Sequence, residues 1–111
     1  MSHASPATIA AIDLGSNSFH MIVAHTVGDG FRIVDRMRRP VRLGAGLSAD
    51  NRLDDKAIAR ALDCLALFGE RVRGLPHEAV RVVGTNTLRK ARNTAGFLAQ
   101  AEALLGHPID V

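Results

Sequence analysis

Asp13 leads into a Gly15-Ser16-Asn17-Ser18 turn from the apolar run Ile9-Ala10-Ala11-Ile12, and a second apolar run, Phe19 to Val23, leaves it. The turn gathers small groups able to hydrogen-bond an anion. Gly15 permits close backbone approach, and Ser16, Asn17 and Ser18 set side-chain donors beside backbone N–H groups. A carboxylate at Asp13, where the first run ends, suits a hydrated divalent cation accompanying a phosphate. The chemistry on offer is therefore the holding of a phosphoryl group and its metal. Gly-Ser-Asn is also ordinary turn composition, so the residues alone leave a purely structural turn as an equal alternative. His20 follows the turn, and a core-facing or strand-lining imidazole is a better reading than a catalytic base. His3, His25, His77 and His107 lack metal-ligand spacing.

The elements that must position these groups follow from periodicity. The two Ile- and Val-rich runs flanking the turn read as paired strands. Phe31 to Arg38 alternates like a third strand after the turn signal Gly28-Asp29-Gly30, and Pro40 ends or edges it. Leu43 to Asn51 is too rich in Gly and polar residues for regular structure, and its place beside the arginines predicts a loop at the rim of a site. A helix follows, with Asp54 as N-cap and Ile58, Ala61, Leu62, Leu65, Phe68 and Val72 at helical spacing. Gly74 and Pro76 end it. Its opposite face, with Lys56, Arg60, Asp63, Glu70 and Arg71, is assigned to solvent or a partner lobe. Ala79 to Thr85 reads as a Val-rich strand beneath helices. Arg89 lies just beyond that strand, where open α/β sheets place binding groups. A second helix from about Asn93 buries Phe97, Leu98, Ala101, Leu104 and Leu105, and Ile109-Asp110-Val111 begins a further strand.

The chain has 111 residues, enough for one small domain and too few for two. Its 47% hydrophobic and 23% charged content is that of a globular protein. No apolar run approaches the roughly 20 residues that cross a bilayer. Residues 1–6 lack the order of a signal peptide and read as a flexible leader. Cys64 is the single cysteine, which excludes an internal disulfide and fits a cytoplasmic protein; its helical apolar setting makes it a small core residue. The net charge of +3 hides two basic clusters, Arg32, Arg36, Arg38, Arg39 and Arg42, then Arg89, Lys90 and Arg92. Both attract a polyanion. Four Phe residues in apolar patterns, with no Trp or Tyr, offer no stacking platform for single strands, so a phosphate polymer fits better than a specific nucleic-acid partner.

Asp13-Leu14-Gly15-Ser16-Asn17-Ser18-Phe19-His20-Met21 resembles the opening motif of the exopolyphosphatase/guanosine-pentaphosphate phosphatase family. The likeness continues through Val41 to Leu47, Cys64 to Arg71 and Val83 to Ala91, in the family's order, and covers nearly the whole chain from Ala7. The resemblance implies a ribonuclease-H-like first lobe of the actin, sugar-kinase and Hsp70 superfamily, ordered β-β-β-α-β-α-β, with residues 7–111 an incomplete lobe. It implies that Gly15, Ser16, Asn17, Ser18 and Arg89 bind phosphate, that Asp13 organises Mg²⁺, and that the general-base Glu lies beyond Val111. The expected reaction of the full-length protein, expected in turn to form a homodimer, is release of orthophosphate from inorganic polyphosphate. Guanosine pentaphosphate is the alternative substrate, and Val83 to Thr87 leans toward the polyphosphatase side. An inactive polyanion-binding or assembly fragment is the alternative from a different class.

Overall fold

The computed structural model describes residues 7–111, so the leader expected over residues 1–6 lies outside the described residues. Three antiparallel strands come first: β1 (Thr8–Leu14), β2 (Phe19–Val27) and β3 (Gly30–Arg39). After a loop and helix α1 (Asp55–Val72), strand β4 (Val80–Gly84) returns parallel to β1. The sheet order is β3-β2-β1-β4, and Asp110 bridges Val83 in parallel on the outer edge of β4. This is the β-β-β-α-β-α-β order of the expected lobe, with the final strand present as a single bridge.

Alternation decides which side of the sheet is core. Ala10, Ile12 and Leu14 of β1, Phe19, Met21 and Val23 of β2 and Val80 and Val82 of β4 are buried in one apolar cluster. Helix α1 meets them with Ala57, Ala61, Leu65, Phe68 and Val72, all fully buried at the spacing of one helix face. Asp54 caps α1 as expected, its side chain accepting from Ala57 N at 2.7 Å. Helix α3 (Thr94–Leu105) buries Phe97, Ala101 and Leu105 and packs on α1. Gly69 sets that contact. A Cβ there would lie 2.2 Å from the Leu104 carbonyl oxygen, so the helices touch backbone to backbone. Below them, His107 is buried and its Nε2–H donates to the Val72 carbonyl at 2.6 Å. His107 Nδ1 also lies 2.8 Å from His77 Nδ1, which joins the end of α1 to the 3-10 turn His77–Ala79.

Four features differ from or add to the expectations. A five-residue helix, α2 (Asn86–Lys90), follows β4 ahead of the helix expected from about Asn93, and Arg89 sits in its last turn. The Leu43 to Asn51 loop contains a 3-10 turn, Gly44–Gly46, closed by Gly46 N donating to Leu43 O and Leu47 N to Gly44 O. Arg60, assigned to solvent or a partner lobe, is exposed and also turns its guanidinium back onto the loop before that turn: Nε donates to Val41 O at 2.9 Å and Nη2 to Arg42 O at 3.3 Å. Lastly, Phe31 is 64% exposed, on the sheet face opposite the helices, while Phe19, Phe68 and Phe97 are buried. A one-residue bulge between β2 and β3 near Val23 lets β3 carry polar and apolar side chains on both faces, which blurs the alternation that placed Phe31 inside.

Candidate functional site

Leu14 pairs with Phe19 across the first hairpin and with Gly84 in the parallel direction, so the Gly15–Ser18 turn and the start of α2 emerge at the same end of the sheet. Gly15 N donates to Ser18 O at 3.1 Å and closes the turn. A Cβ on Gly15 would sit 2.9 Å from that same oxygen, which is why the position suits glycine. Among the described residues, the N–H groups of Ser16, Asn17 and Ser18 donate to no protein acceptor. Successive unpaired N–H groups in a turn form a concavity of positive potential, the backbone's own anion site. The turn's carbonyls, by contrast, are occupied: Gly44 N donates to Ser16 O at 2.8 Å and Arg42 N to Asn17 O at 2.9 Å. Carbonyl dipoles are thus spent on the supporting loop while amide dipoles remain free.

The side chains divide in a way that residue types alone do not disclose. Asn17 is exposed and Ser18 is buried, at 7% of its full accessibility. Ser16 Oγ lies 2.6 Å from Thr87 Oγ1. Asp13 is exposed one residue before the end of β1, opposite His20 on β2 and Val83 on β4. Its carboxylate has no hydrogen-bond or ion-pair partner among the described residues, whose one ion pair joins Arg71 to Asp35 at 2.8 Å. His20 is exposed and lines the strand, so the core-facing alternative for it does not hold. Arg38 stands opposite His20 on β3, placing carboxylate, imidazole and guanidinium in one cross-strand row.

Arg89 occupies the last turn of α2, exposed, with Nη2 donating to Asn86 Oδ1 at 2.8 Å. It shares a short helix with Thr87 and, among the described residues, makes no hydrogen bond to the turn. The basic segment splits by position. Arg38, Arg39 and Arg42 lie at the turn end of the sheet, since Arg39 pairs with Phe19 and Arg42 leans on Asn17, whereas Arg32 pairs with His25 at the far end. Arg42 adopts φ 55, a left-handed conformation that costs a non-glycine residue about 1 kcal/mol, and the Arg60 and Asn17 bonds hold it there. Thr85, Asn86 and Thr87 entered the sequence reading only as part of the Val83 to Ala91 motif, with no role at the site. Thr85 uses both N–H (3.3 Å) and Oγ1 (3.2 Å) on the Leu14 carbonyl, so it rivets the two strand ends together. Their signal was a run of hydroxyl and amide residues directly after a Val-rich strand. Glu102 accepts from Ile109 N at 2.8 Å, and Glu70 is exposed on α1. No group of three or more His, Cys, Asp and Glu able to hold a metal occurs among the described residues.

The sequence and the fold are both shared with known proteins. Over 102 residues the chain is 51% identical to a guanosine-5'-triphosphate,3'-diphosphate pyrophosphatase of Vibrio cholerae, covering 92% of this chain and 20% of that protein. It is 50% identical over 103 residues to a Haemophilus influenzae protein provisionally described as an exopolyphosphatase, covering 93% of this chain and 32% of the other. Its fold superimposes on the Aquifex aeolicus PPX-GPPA enzyme with a TM-score of 0.83 at 27% identity, across 96% of this chain and 36% of that one. The chain therefore spans between a fifth and about a third of the length of these proteins. Residues 21–111 match the Ppx/GppA phosphatase family, and the chain belongs to that family.

Proposed function

We propose that this chain forms the phosphate-holding part of a phosphoanhydride hydrolase that removes the terminal phosphoryl group of inorganic polyphosphate. The observation that carries the reading is the run of three unpaired N–H groups, Ser16 to Ser18, beside the unpaired Asp13 carboxylate at the end of parallel strands β1 and β4. In hydrolysis the water oxygen bonds to phosphorus as the bridging P–O bond breaks, the leaving chain takes the electron pair, and the water's proton goes to the general-base Glu that the family resemblance places beyond Val111. Charge spreads over the three outer oxygens of the phosphoryl group, so preorganised positive groups do most of the work. Turn amides supply such groups without reorganising. Arg89 adds a planar guanidinium able to engage two oxygens, released from Asn86 when phosphate arrives.

Asp13 fits Mg²⁺ in a limited sense: one exposed, unpaired carboxylate suits an ion that keeps most of its waters and shares phosphate oxygens. When bound, the ion supplies charge neutralisation of the phosphoryl oxygens. The chain's own part is to hold that ion near the turn and keep the phosphoryl group oriented. Arg38, Arg39 and Arg42 at the same end of the sheet favour a multiply charged, extended substrate. Guanosine pentaphosphate is the second reading, favoured by the identity to the Vibrio cholerae protein named for it. A single cysteine and no described helix long and apolar enough to cross a membrane accord with a cytoplasmic setting. The test is orthophosphate release by the full-length protein from long-chain polyphosphate and from guanosine pentaphosphate, with and without Mg²⁺. Release from polyphosphate at the higher kcat/KM supports the first reading, and a higher value on the nucleotide supports the second. Metal-independent silence on both substrates sinks the proposal.

A further inference from the structure

Ser16 and Thr87 are 71 positions apart in sequence, yet their hydroxyl oxygens lie 2.6 Å apart. The pair joins the hairpin turn to α2 across the end of the sheet. Thr87 is buried, with 6% of its accessibility left, while Ser16 is half-buried. Each hydroxyl carries one proton and two acceptor sites. A buried hydroxyl proton needs an acceptor, and Ser16 Oγ is the one recorded for Thr87. Either hydroxyl can donate within the pair, and the deeper burial of Thr87 favours donation from Thr87 to Ser16. In that arrangement the Ser16 proton is left for a ligand at the half-buried turn. Gly44 closes the third side: a Cβ there would lie 3.3 Å from Ser16 Cβ and 3.4 Å from Thr87 Oγ1, so a larger residue would press on both members of the pair.

We infer that Thr87 is a positioning residue that sets the direction of the Ser16 hydroxyl proton toward a bound phosphoryl oxygen and fixes α2, with Arg89, against the turn. Thr87 acts through Ser16 and does not touch phosphate. The inference rests on reading the turn as a phosphoryl site. It differs from a packing role in one respect: a packing threonine is replaced well by valine, which has the same shape, whereas a donating threonine is replaced well by serine.

The experiment uses the full-length protein and tripolyphosphate as the probe, with binding measured by calorimetry and turnover measured separately. Thr87→Val is expected to weaken binding about tenfold, the size of one lost hydrogen bond to a group that in turn contacts a charge. Thr87→Ser is expected to restore affinity to within about twofold of wild type. Ser16→Ala should cost at least as much as Thr87→Val, and adding Thr87→Val to Ser16→Ala should cost nothing more, because the second hydroxyl has lost its partner. Wild-type affinity in Thr87→Val, additive losses in the double variant, or failure of serine to restore binding each overturns the inference. Thermal unfolding of every variant separates folding loss from site loss. If Thr87→Val does not fold, the Thr87→Ser and Ser16→Ala affinities still decide the matter. Coupled binding without turnover would sink the hydrolase reading alone; turnover with uncoupled variants would sink the Thr87 role alone. A wild-type protein that takes up no tripolyphosphate overturns both.

Discussion

Asp13 and Cys64 mark the two extremes of what a titratable side chain does in this fold. Asp13 is exposed and unpaired, so replacing it by Asn removes a charge without emptying any packed space. In the full-length protein Asp13→Asn is expected to lower turnover on the order of a hundredfold. Thermal unfolding should shift by no more than about 2 °C, as for an exposed substitution. Phosphate release measured across Mg²⁺ concentrations checks this, and normal turnover at every concentration would remove the metal from the account. Cys64 is buried on α1, and loss of solvation pushes its thiol up to about 11 from 9.0, against the pull of nearby Arg39. In the unfolded chain the thiol ionises first, so its contribution to folding is intact below about pH 9 and is lost as pH rises toward 11. Iodoacetamide should accordingly label Cys64 slowly in the native protein at pH 8 and rapidly in urea. Fast native labelling would show a reactive thiol instead of a core residue.

Helices and strands show how far pattern reading reaches. The apolar stripe of α1 and the cap at Asp54 were legible because each rests on contacts within one helical turn or on a face three and four residues apart. β1, β2 and β4 were legible for the same local reason. Helix α2 was not: five residues carry too little periodicity, and what holds them is the Thr85 bond to Leu14 and the Thr87 bond to Ser16, both 71 positions away. Phe31 misled because a bulge elsewhere in the strand pair shifts the side-chain alternation. At the turn, the identities of the donors were readable, but Ser18 being buried and Ser16 being engaged are tertiary facts. Arg60 is exposed as expected, but charge pattern alone does not reveal the carbonyls across the loop to which it donates. The helix pair yields a prediction of its own. Gly69→Ala would place a Cβ 2.2 Å from the Leu104 carbonyl oxygen, and the neighbour is backbone that cannot swing aside. The expected cost is about 1–3 kcal/mol, despite alanine's better helix propensity of roughly 1 kcal/mol. Urea unfolding checks the sign; a stabilised Gly69→Ala protein would mean the α1–α3 contact is looser than described.

At the scale of the molecule, the sheet has helices α1 and α3 on one face and its functional groups along one end. The arginines of β3 and the following loop create a field there, whereas the proposed role of Arg89 is a directed contact with phosphate oxygens. These two kinds of positive charge should separate by salt. Arg38→Lys preserves charge on an exposed strand position, so affinity for long polyphosphate should change by less than about threefold, with a similar salt dependence. Arg89→Lys also preserves charge but loses the two-oxygen geometry, so turnover should fall about tenfold or more at every ionic strength. Equal, salt-sensitive defects in the two variants would make Arg89 part of the general field. The central claim, that the Ser16–Ser18 amides hold the phosphoryl group, is tested most directly by a crystal structure of the full-length protein with tripolyphosphate and Mg²⁺. The account predicts a terminal phosphate within hydrogen-bond distance of those three N–H groups, with the Arg89 guanidinium turned from Asn86 onto its oxygens. A phosphate bound elsewhere, with the three amides facing water and Arg89 still on Asn86, would contradict it.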